Sequence, residues 1–290
     1  MVSGLLYCAD MLRPRRADEH FAAEAQVARD LGGVVALIDH DALIRGETDR
    51  AVARVPRDLG EVWYRGWMIG AERYADLFRS LDDRGVRLMT EPAEYRAAHE
   101  LPGWFDNFAD LTPKSVWMPM SGSQVPSDEE LAGLAAALPE GAAIIKDYVK
   151  SRKHEPDAFF IEDLADLAGF QAVVRRFIER QGSDLAGGIV LRSFEDFGGV
   201  DGPAAEARIW WVRGAPVVIG PHPDHAGAVV DPKLDEVAEA MGEFKSPFVT
   251  TDLVQRADGR WRLVEVGAGE VSDFPRGTEV EPLLRALLKR

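Results

Sequence analysis

Short apolar runs alternate with amphipathic stretches along this chain, which is the pattern of an α/β protein. Gly4–Cys8 (GLLYC) and residues 33–38 (GVVALI) are continuous apolar runs of strand length, and residues 17–31 between them have helical composition and periodicity. Residues 61–65 (EVWYR) predict a third strand, 71–84 a helix and 85–89 a fourth strand, so the first ~110 residues read as a small domain around a mostly parallel sheet. Residues 101–125 carry Pro102, Pro113 and Pro119 among glycines and serines and read as a connector.

Beyond the connector the pattern becomes strand-rich. Residues 142–149 (AAIIKDYV) predict a buried strand interrupted by Lys146, and 161–181 an amphipathic helix with Leu164, Leu167, Val174, Phe177 and Ile178 on its apolar stripe. GGIVLR (187–192), EARIWWV (206–212) and PVVI (216–219) predict strands, the last two joined at Arg213-Gly214; helices follow at 233–244 and 280–288. Between these helices, two strands flank Asp258-Gly259, the signature of a two-residue hairpin. Symmetry about that turn sets Ala257 opposite Arg260, Val254 opposite Leu263 and Asp252 opposite Glu265. Facing carboxylates destabilise a sheet unless they reach solvent or hold a cation.

Composition narrows the partners. The net charge of −15, from 34 basic and 49 acidic side chains, disfavours nucleic acid and anionic membranes. No run of about 18 apolar residues and no signal-peptide pattern is present, so the expectation is a cytoplasmic protein without a membrane span. Cys8, the lone cysteine, excludes an intrachain disulfide and a zinc-thiolate cluster and reads as a small buried hydrophobe. Two basic clusters stand out against the acidic background as places to hold a small anion: Arg13, Arg15 and Arg16, and Lys146, Lys150, Arg152 and Lys153.

Several positions carry chemistry. An ammonium at Lys146 in an apolar strand needs an anionic partner or an exit to water, and the loop holding Lys150, Ser151, Arg152, Lys153 and His154 suits phosphate oxygens. Glu206 and Arg208 alternate along one strand and share a face, as an ion pair or as ligand contacts. Asp252 and Glu265 are hard oxygen donors suited to magnesium. Arg65, in YRGW, either faces a substrate or packs among Trp63, Tyr64 and Trp67. His222 and His225 in PHPDH have metal-ligand spacing, but no third ligand is near in sequence and a proline-rich turn is the preferred reading.

The ordered set YRGWMIGAERY (64–74), KDYVKSRKHE (146–155), GGIVLRSF (187–194), EARIWWVRG (206–214) and TDLV…WRLVEVGAGEVSDFP (251–275) resembles the ATP-grasp superfamily, and within it the clade named for one arginine and two lysines. The resemblance spans nearly the whole chain and implies an α/β (α+β) ATP-grasp fold: an N-terminal preceding domain over 1–112, then an ATP-grasp domain over 113–290 whose two α+β subdomains clasp ATP and Mg2+. By the same resemblance Lys146 would touch the nucleotide phosphates with Lys150 or Lys153 assisting, and Arg192, Ser193, Phe194 and Glu195 would form the hinge reading adenine. Glu206 and Arg208 match the family's Glu-x-Arg strand, Arg208 being placed to stabilise a transferring phosphoryl group, and Asp252 and Glu265 would hold Mg2+. Arg65 and Arg13 are the candidate substrate contacts. Most of the superfamily reads Glu-x-Asn where this chain has Glu265-Val266-Gly267, which removes the usual third metal ligand unless Glu270 or Asp273 substitutes. The implied activity is ATP-dependent carboxylate-amine ligation through an acyl-phosphate, on carboxylate and amine partners the sequence does not identify. A nucleotide-binding interaction module without turnover, and a phosphotransferase using the same clasp, are the alternatives.

Overall fold

The computed structural model describes residues 4–120, 125–197, 204–256, 258–275 and 277–289. The strands among them are β1 (Gly4–Cys8), β2 (Val34–Ile38), β3 (Gly60–Arg65), β4 (Val86–Leu88), β5 (Ser115–Pro119), β6 (Ala143–Asp147), β7 (Phe160–Ile161), β8 (Gly188–Ser193), β9 (Glu206–Val212), β10 (Ala215–Pro221), β11 (Phe248–Gln255) and β12 (Trp261–Ala268). The chain forms two compact units, one of residues 1–98, 205–253 and 265–290, the other of residues 99–204 and 254–264.

Unit one holds a parallel sheet in the order β2-β1-β3-β4. Every residue of β1 is buried, as expected of a central parallel strand covered on both faces. The helix Ala71–Asp82 buries Ala71, Tyr74, Leu77 and Leu81, an i, i+3, i+6, i+10 stripe. The C-terminal helix Glu281–Leu288 buries Leu283, Leu284 and Leu287, and the Trp63 indole N–H donates to the Leu287 carbonyl at 2.8 Å. A second sheet runs β10-β9-β11-β12. Its β9–β10 hairpin closes as expected at Arg213-Gly214, whose φ values of 52° and 76° are those of a type I′ turn.

Unit two is built on an antiparallel sheet in the order β5-β8-β6-β7. Against it packs the helix Leu167–Gln181 through Phe170, Val174, Phe177 and Ile178. That helix starts six residues later than the periodicity predicts: Phe160–Ile161 pairs with β6, and the Asp166 carboxylate caps the helix by accepting from the Gly169 N–H. Leu167, expected on the stripe, is 44% exposed at the first turn, and Phe170 fills the core in its place. The expected connector contains β5, whose place at the sheet edge tolerates Pro119 as its last residue.

The loop between β11 and β12 differs by one residue from its sequence reading. Arg256 N–H donates to the Arg260 carbonyl at 2.8 Å, and Gly259 N–H donates to the Arg256 carbonyl at 2.9 Å. Arg256 therefore faces Arg260, and Ala257, which the sequence sets opposite Arg260, lies outside the described residues. Gly259, at φ 82°, takes a left-handed position at the end of the loop.

Candidate functional site

In unit one, β9 alternation puts Glu206, Arg208 and Trp210 on one face. Arg208 lies on this face in a bidentate pair with Asp252 of β11: Nε donates to Oδ1 and Nη2 to Oδ2, each at 2.8 Å. Its Nη1 donates to the Asp273 carbonyl at 3.1 Å. Burial works against the charge on Arg208, but Asp252, then Glu265 and Glu206, outweigh it and hold the guanidinium firmly protonated. Of the sequence-predicted residues, Asp252 thus pairs directly with Arg208, while Glu265 and Glu206 act on its charge. That donor set fits a hard divalent cation: excess negative charge, oxygen atoms only, and an exposed carboxylate in Glu265 beside a buried one in Asp252.

Two candidates for the missing third ligand point elsewhere. Glu270 is fully buried, its Oε1 accepting from the Thr90 hydroxyl. Burial pushes its carboxyl up to about 7. Asp273 is exposed and hydrogen-bonds His20 at 2.9 Å. Gly267 itself is crowded. A Cβ there would meet Thr250 Oγ1 at 2.9 Å, and that hydroxyl is hydrogen-bonded to Ser272 Oγ at 2.7 Å. A hydroxyl pair therefore occupies the space next to the position where the superfamily pattern has Asn.

Register brings in His222 and His225, whose spacing suits metal ligands but for which a turn is the preferred sequence reading. β10 pairs with β9 so that Gly220 faces Arg208 and Pro221 faces Ala207; one step further the His222 N–H donates to the Glu206 carbonyl at 2.9 Å. His222 and Glu206 are thus cross-strand neighbours. A 3₁₀ turn, Pro223–His225, brings His225 back, and His225 Nδ1 lies 3.2 Å from Glu206 Oε2. The neighbouring strand thus brings Glu206 to the two histidines as a third group that could hold a metal ion.

In unit two, β6 carries Lys146, only 6% exposed, with Nζ 3.4 Å from the Val149 carbonyl. The chain folds back at once. Asp147, fully buried, accepts from the Val149 N–H at 2.7 Å, the Lys150 N–H, the Gln181 side-chain amide at 2.7 Å and the Ala186 N–H at 3.3 Å. This buried carboxylate shapes the loop that presents Lys150. Lys150 and Lys153 are exposed. Arg152 is tied down, donating to Gln181 at 2.8 Å, to Glu155 and to the Arg180 carbonyl. Lys146 and Lys150 converge electrostatically on His99, which burial first and these two cations second push down to about 4.

The segment 192–195 is anchored on three sides. Arg192, 5% exposed, donates to the Val264 carbonyl at 2.6 Å and to the Thr112 hydroxyl. The Ser193 and Phe194 N–H groups donate to the carbonyls of Lys114 (2.8 Å) and Ala142 (2.9 Å). Glu195 takes a bidentate pair from Arg262 at 2.7 and 3.0 Å, with Arg256 at 3.5 Å. Phe194 remains 46% exposed, edge-on to Phe160 at 5.1 Å.

Of the candidate substrate contacts, Arg65 takes the packed alternative of its two sequence readings, among partners other than the tryptophans and tyrosine beside it in sequence. It is 1% exposed, with Nε 2.9 Å from Glu24 Oε1, Nη2 donating to Glu24 Oε2 at 3.0 Å and Nη1 to the Ser272 carbonyl at 2.8 Å. Its face lies 5.1 Å from the Trp210 ring centroid and 5.5 Å from that of Phe274. A guanidinium so enclosed is a core fixture, not a substrate contact. Arg13 is exposed in the β1-to-helix loop, which Asp10 organises by accepting from the Leu12 and Arg13 N–H groups at 2.8 and 2.7 Å. Cys8 is fully buried, as expected, and burial pushes its thiol up to about 11.

With this geometry in place, residues 133–287 match the family model of an ATP-grasp domain, family 3 of the clade named for one arginine and two lysines. No curated protein matches the sequence. The fold is similar to that of the D-cycloserine synthetase DcsG, at 16% identity and a TM-score of 0.64, covering 98% of each chain. It is also similar to the ATP-grasp ligase PsnB complexed with precursor peptide PsnA2 and AMPPNP, at 14% identity and a TM-score of 0.55, over 98% of this chain and 96% of that one. The macrocyclase MdnC bound with precursor peptide MdnA, from Microcystis aeruginosa MRC, aligns at 14% identity with a TM-score of 0.55, over 98% of this chain and 99% of that one. Among the described residues no helix is long and apolar enough to cross a membrane.

Proposed function

The chain belongs to family 3 of the arginine-and-two-lysines clade of ATP-grasp domains, an ATP-dependent ligase family, and from that premise we propose that it joins a carboxylate to an amine with hydrolysis of ATP to ADP and phosphate. The observation that carries this reading is the Arg208 neighbourhood: a guanidinium paired with Asp252 and kept protonated by Asp252, Glu265 and Glu206. Asp252 and Glu265 would hold Mg2+, which when bound neutralises phosphate oxygens.

The protein's own groups bind and orient. Lys146, Lys150 and Lys153 offer ammonium groups to phosphate oxygens, Lys146 from a rigid strand and the other two from an exposed loop. Arg208 is permanently charged and suited to the charge that builds up on a phosphoryl group in transfer. Because the Ser193 and Phe194 N–H groups already have carbonyl partners, adenine recognition in this segment falls to its carbonyls and to Glu195 N–H, with the exposed Phe194 ring as an apolar wall. The carboxylate oxygen of the substrate takes the γ-phosphoryl group and ADP leaves; the amine then attacks the acyl carbon, the C–O bond to phosphate breaks, and the amine proton passes to solvent.

Two of the structurally similar proteins are described with precursor peptides and one as a synthetase of a small molecule. Peptide carboxylates are the first class to screen, small amino-acid-like carboxylates the second. The test is magnesium-dependent ADP release against pooled carboxylates and amines, followed by mass measurement of products. The wild-type chain should yield an amide product, and Glu265→Lys should abolish ADP release; full activity in that variant refutes the assignment. A second reading, nucleotide binding without ligation, draws support from the crowding at Gly267. Calorimetric ATP binding with no turnover over the whole panel would favour it.

A further inference from the structure

The geometry points to a second metal site in unit one, built from Glu206, His222 and His225 and selective for a zinc-class divalent ion rather than magnesium. One ligand atom from each residue lies within 4.8 Å of the other two. Glu206 Oε2 is 3.2 Å from His225 Nδ1 and 3.8 Å from His222 Nδ1. Ligands about 2.0–2.2 Å from a tetrahedral ion are spaced a little over 3 Å apart, so modest side-chain adjustment closes the set.

Three features separate this cluster from a chance meeting of polar groups. The backbone holds the donors in place: His222 N–H donates to the Glu206 carbonyl at 2.9 Å, His225 N–H to the His222 carbonyl at 2.8 Å, and Ala228 N–H to the His225 carbonyl at 2.8 Å, with Pro221 and Pro223 limiting the turn's freedom. His225 Nδ1 is shielded from solvent and, although 3.2 Å from the Glu206 carboxylate, makes no aligned hydrogen bond. Such an atom is oriented for a partner other than a proton donor or acceptor. Finally, His222 Nε2 lies 3.7 Å from Asp252 Oδ2 and 2.9 Å from Arg208 Nη2. Because a guanidinium can only donate, His222 Nε2 accepts from Arg208, and ligation through Nδ1 requires that contact to open so that the ring proton can move to Nε2 on the side of Asp252.

The donor chemistry sets the selectivity. Two imidazoles and one carboxylate form the set that zinc accepts in sites keeping a fourth position for water or an anionic oxygen, whereas magnesium prefers oxygen throughout. Binding would displace the Asp224 N–H donated to His222 Nδ1 at 3.1 Å and the Arg208 Nη2 contact to His222 Nε2 at 2.9 Å. The site shares Glu206 with the Arg208 neighbourhood but uses neither Asp252 nor Glu265 as a ligand. It stands or falls independently of the ligase reading.

Cobalt(II) serves as the probe, because its visible d–d absorption reports nitrogen coordination without any activity measurement. Titration of the full chain should give one equivalent of bound cobalt, displaced by zinc and retained in millimolar-range magnesium. His225→Ala and His222→Ala should each weaken cobalt and zinc affinity by at least ~10-fold. Metal-free circular dichroism and thermal melts establish that each variant folds; should His222→Ala fail to, His225→Ala decides alone. Unchanged affinity in a folded His225→Ala protein, absence of the absorption band in the wild type, or displacement of cobalt by magnesium would each overturn the proposal.

Discussion

Arg208 and Asp252 form a buried pair in which stability and the proposed chemistry meet. Their side chains are 13% and 3% exposed. Removing one partner leaves an unpaired buried charge, so Asp252→Asn should lower unfolding free energy by about 3–5 kcal/mol in a urea melt. Loss of activity in that variant would not by itself identify a metal ligand. Glu265 is exposed, and Glu265→Gln should stay within ~0.5 kcal/mol of wild type while losing magnesium-dependent ADP release, which separates the two effects. At Gly267 the local packing resists the family pattern: Gly267→Asn should lower the melting temperature, and Gly267→Asn/Thr250→Ala should recover part of the loss by removing the hydroxyl 2.9 Å from the new Cβ. The Glu-x-Gly departure was legible in the sequence, whereas its cause, the Thr250–Ser272 hydroxyl pair, depends on strand pairing and was not.

Elements were legible where a local pattern decides them. β1, β3, β9 and the C-terminal helix follow from continuous apolar runs or strong periodicity. β5 was hidden because its apolar run, Val116 to Met118, is only three residues long and lies between Pro113 and Pro119, which read as breakers. In the helix Leu167–Gln181 periodicity identifies the stripe from Val174 onward and misplaces its start, where β7 and the Asp166 cap override it. Phe170→Ala should therefore cost about 3–5 kcal/mol in chemical denaturation. Leu167→Ala should cost under ~0.5 kcal/mol. The Glu206–His222 pairing illustrates the remaining limit. It follows from the register of β9 against β10 only once that register extends past Pro221, beyond the four residues that the sequence marks as a strand.

Across the molecule, two buried groups give the units opposite responses to acid. Glu270 in unit one titrates at about 7 when folded, above its ordinary 4.5, so the folded state binds the extra proton and its contribution is lost as pH rises from about 4.5 through 7. His99 in unit two titrates at about 4, below its ordinary 6.5, so its contribution is lost as pH falls through that interval. Amide exchange between pH 7 and 5 should show protection rising around Glu270 and falling around His99, and Glu270→Gln should flatten the first trend only. His99 also reports on the cationic loop. Triphosphate bound near Lys146 and Lys150 should raise its pKa, readable from the imidazole resonances, whereas a ligand bound elsewhere leaves it near 4.

The Arg208–Asp252 pair also bears on timing. The guanidinium takes one lone pair on each oxygen of Asp252, and Asp252 in turn holds the Nε and Nη2 edge of the arginine. If Asp252 holds a cation as proposed, that cation would compete with the arginine for its oxygens and would release the Nε and Nη2 edge as it binds, coupling metal binding to phosphate binding. Magnesium alone, without nucleotide, should shift the Arg208 Nε–H resonance, and phosphate binding to Arg208 should be weak until that shift is complete.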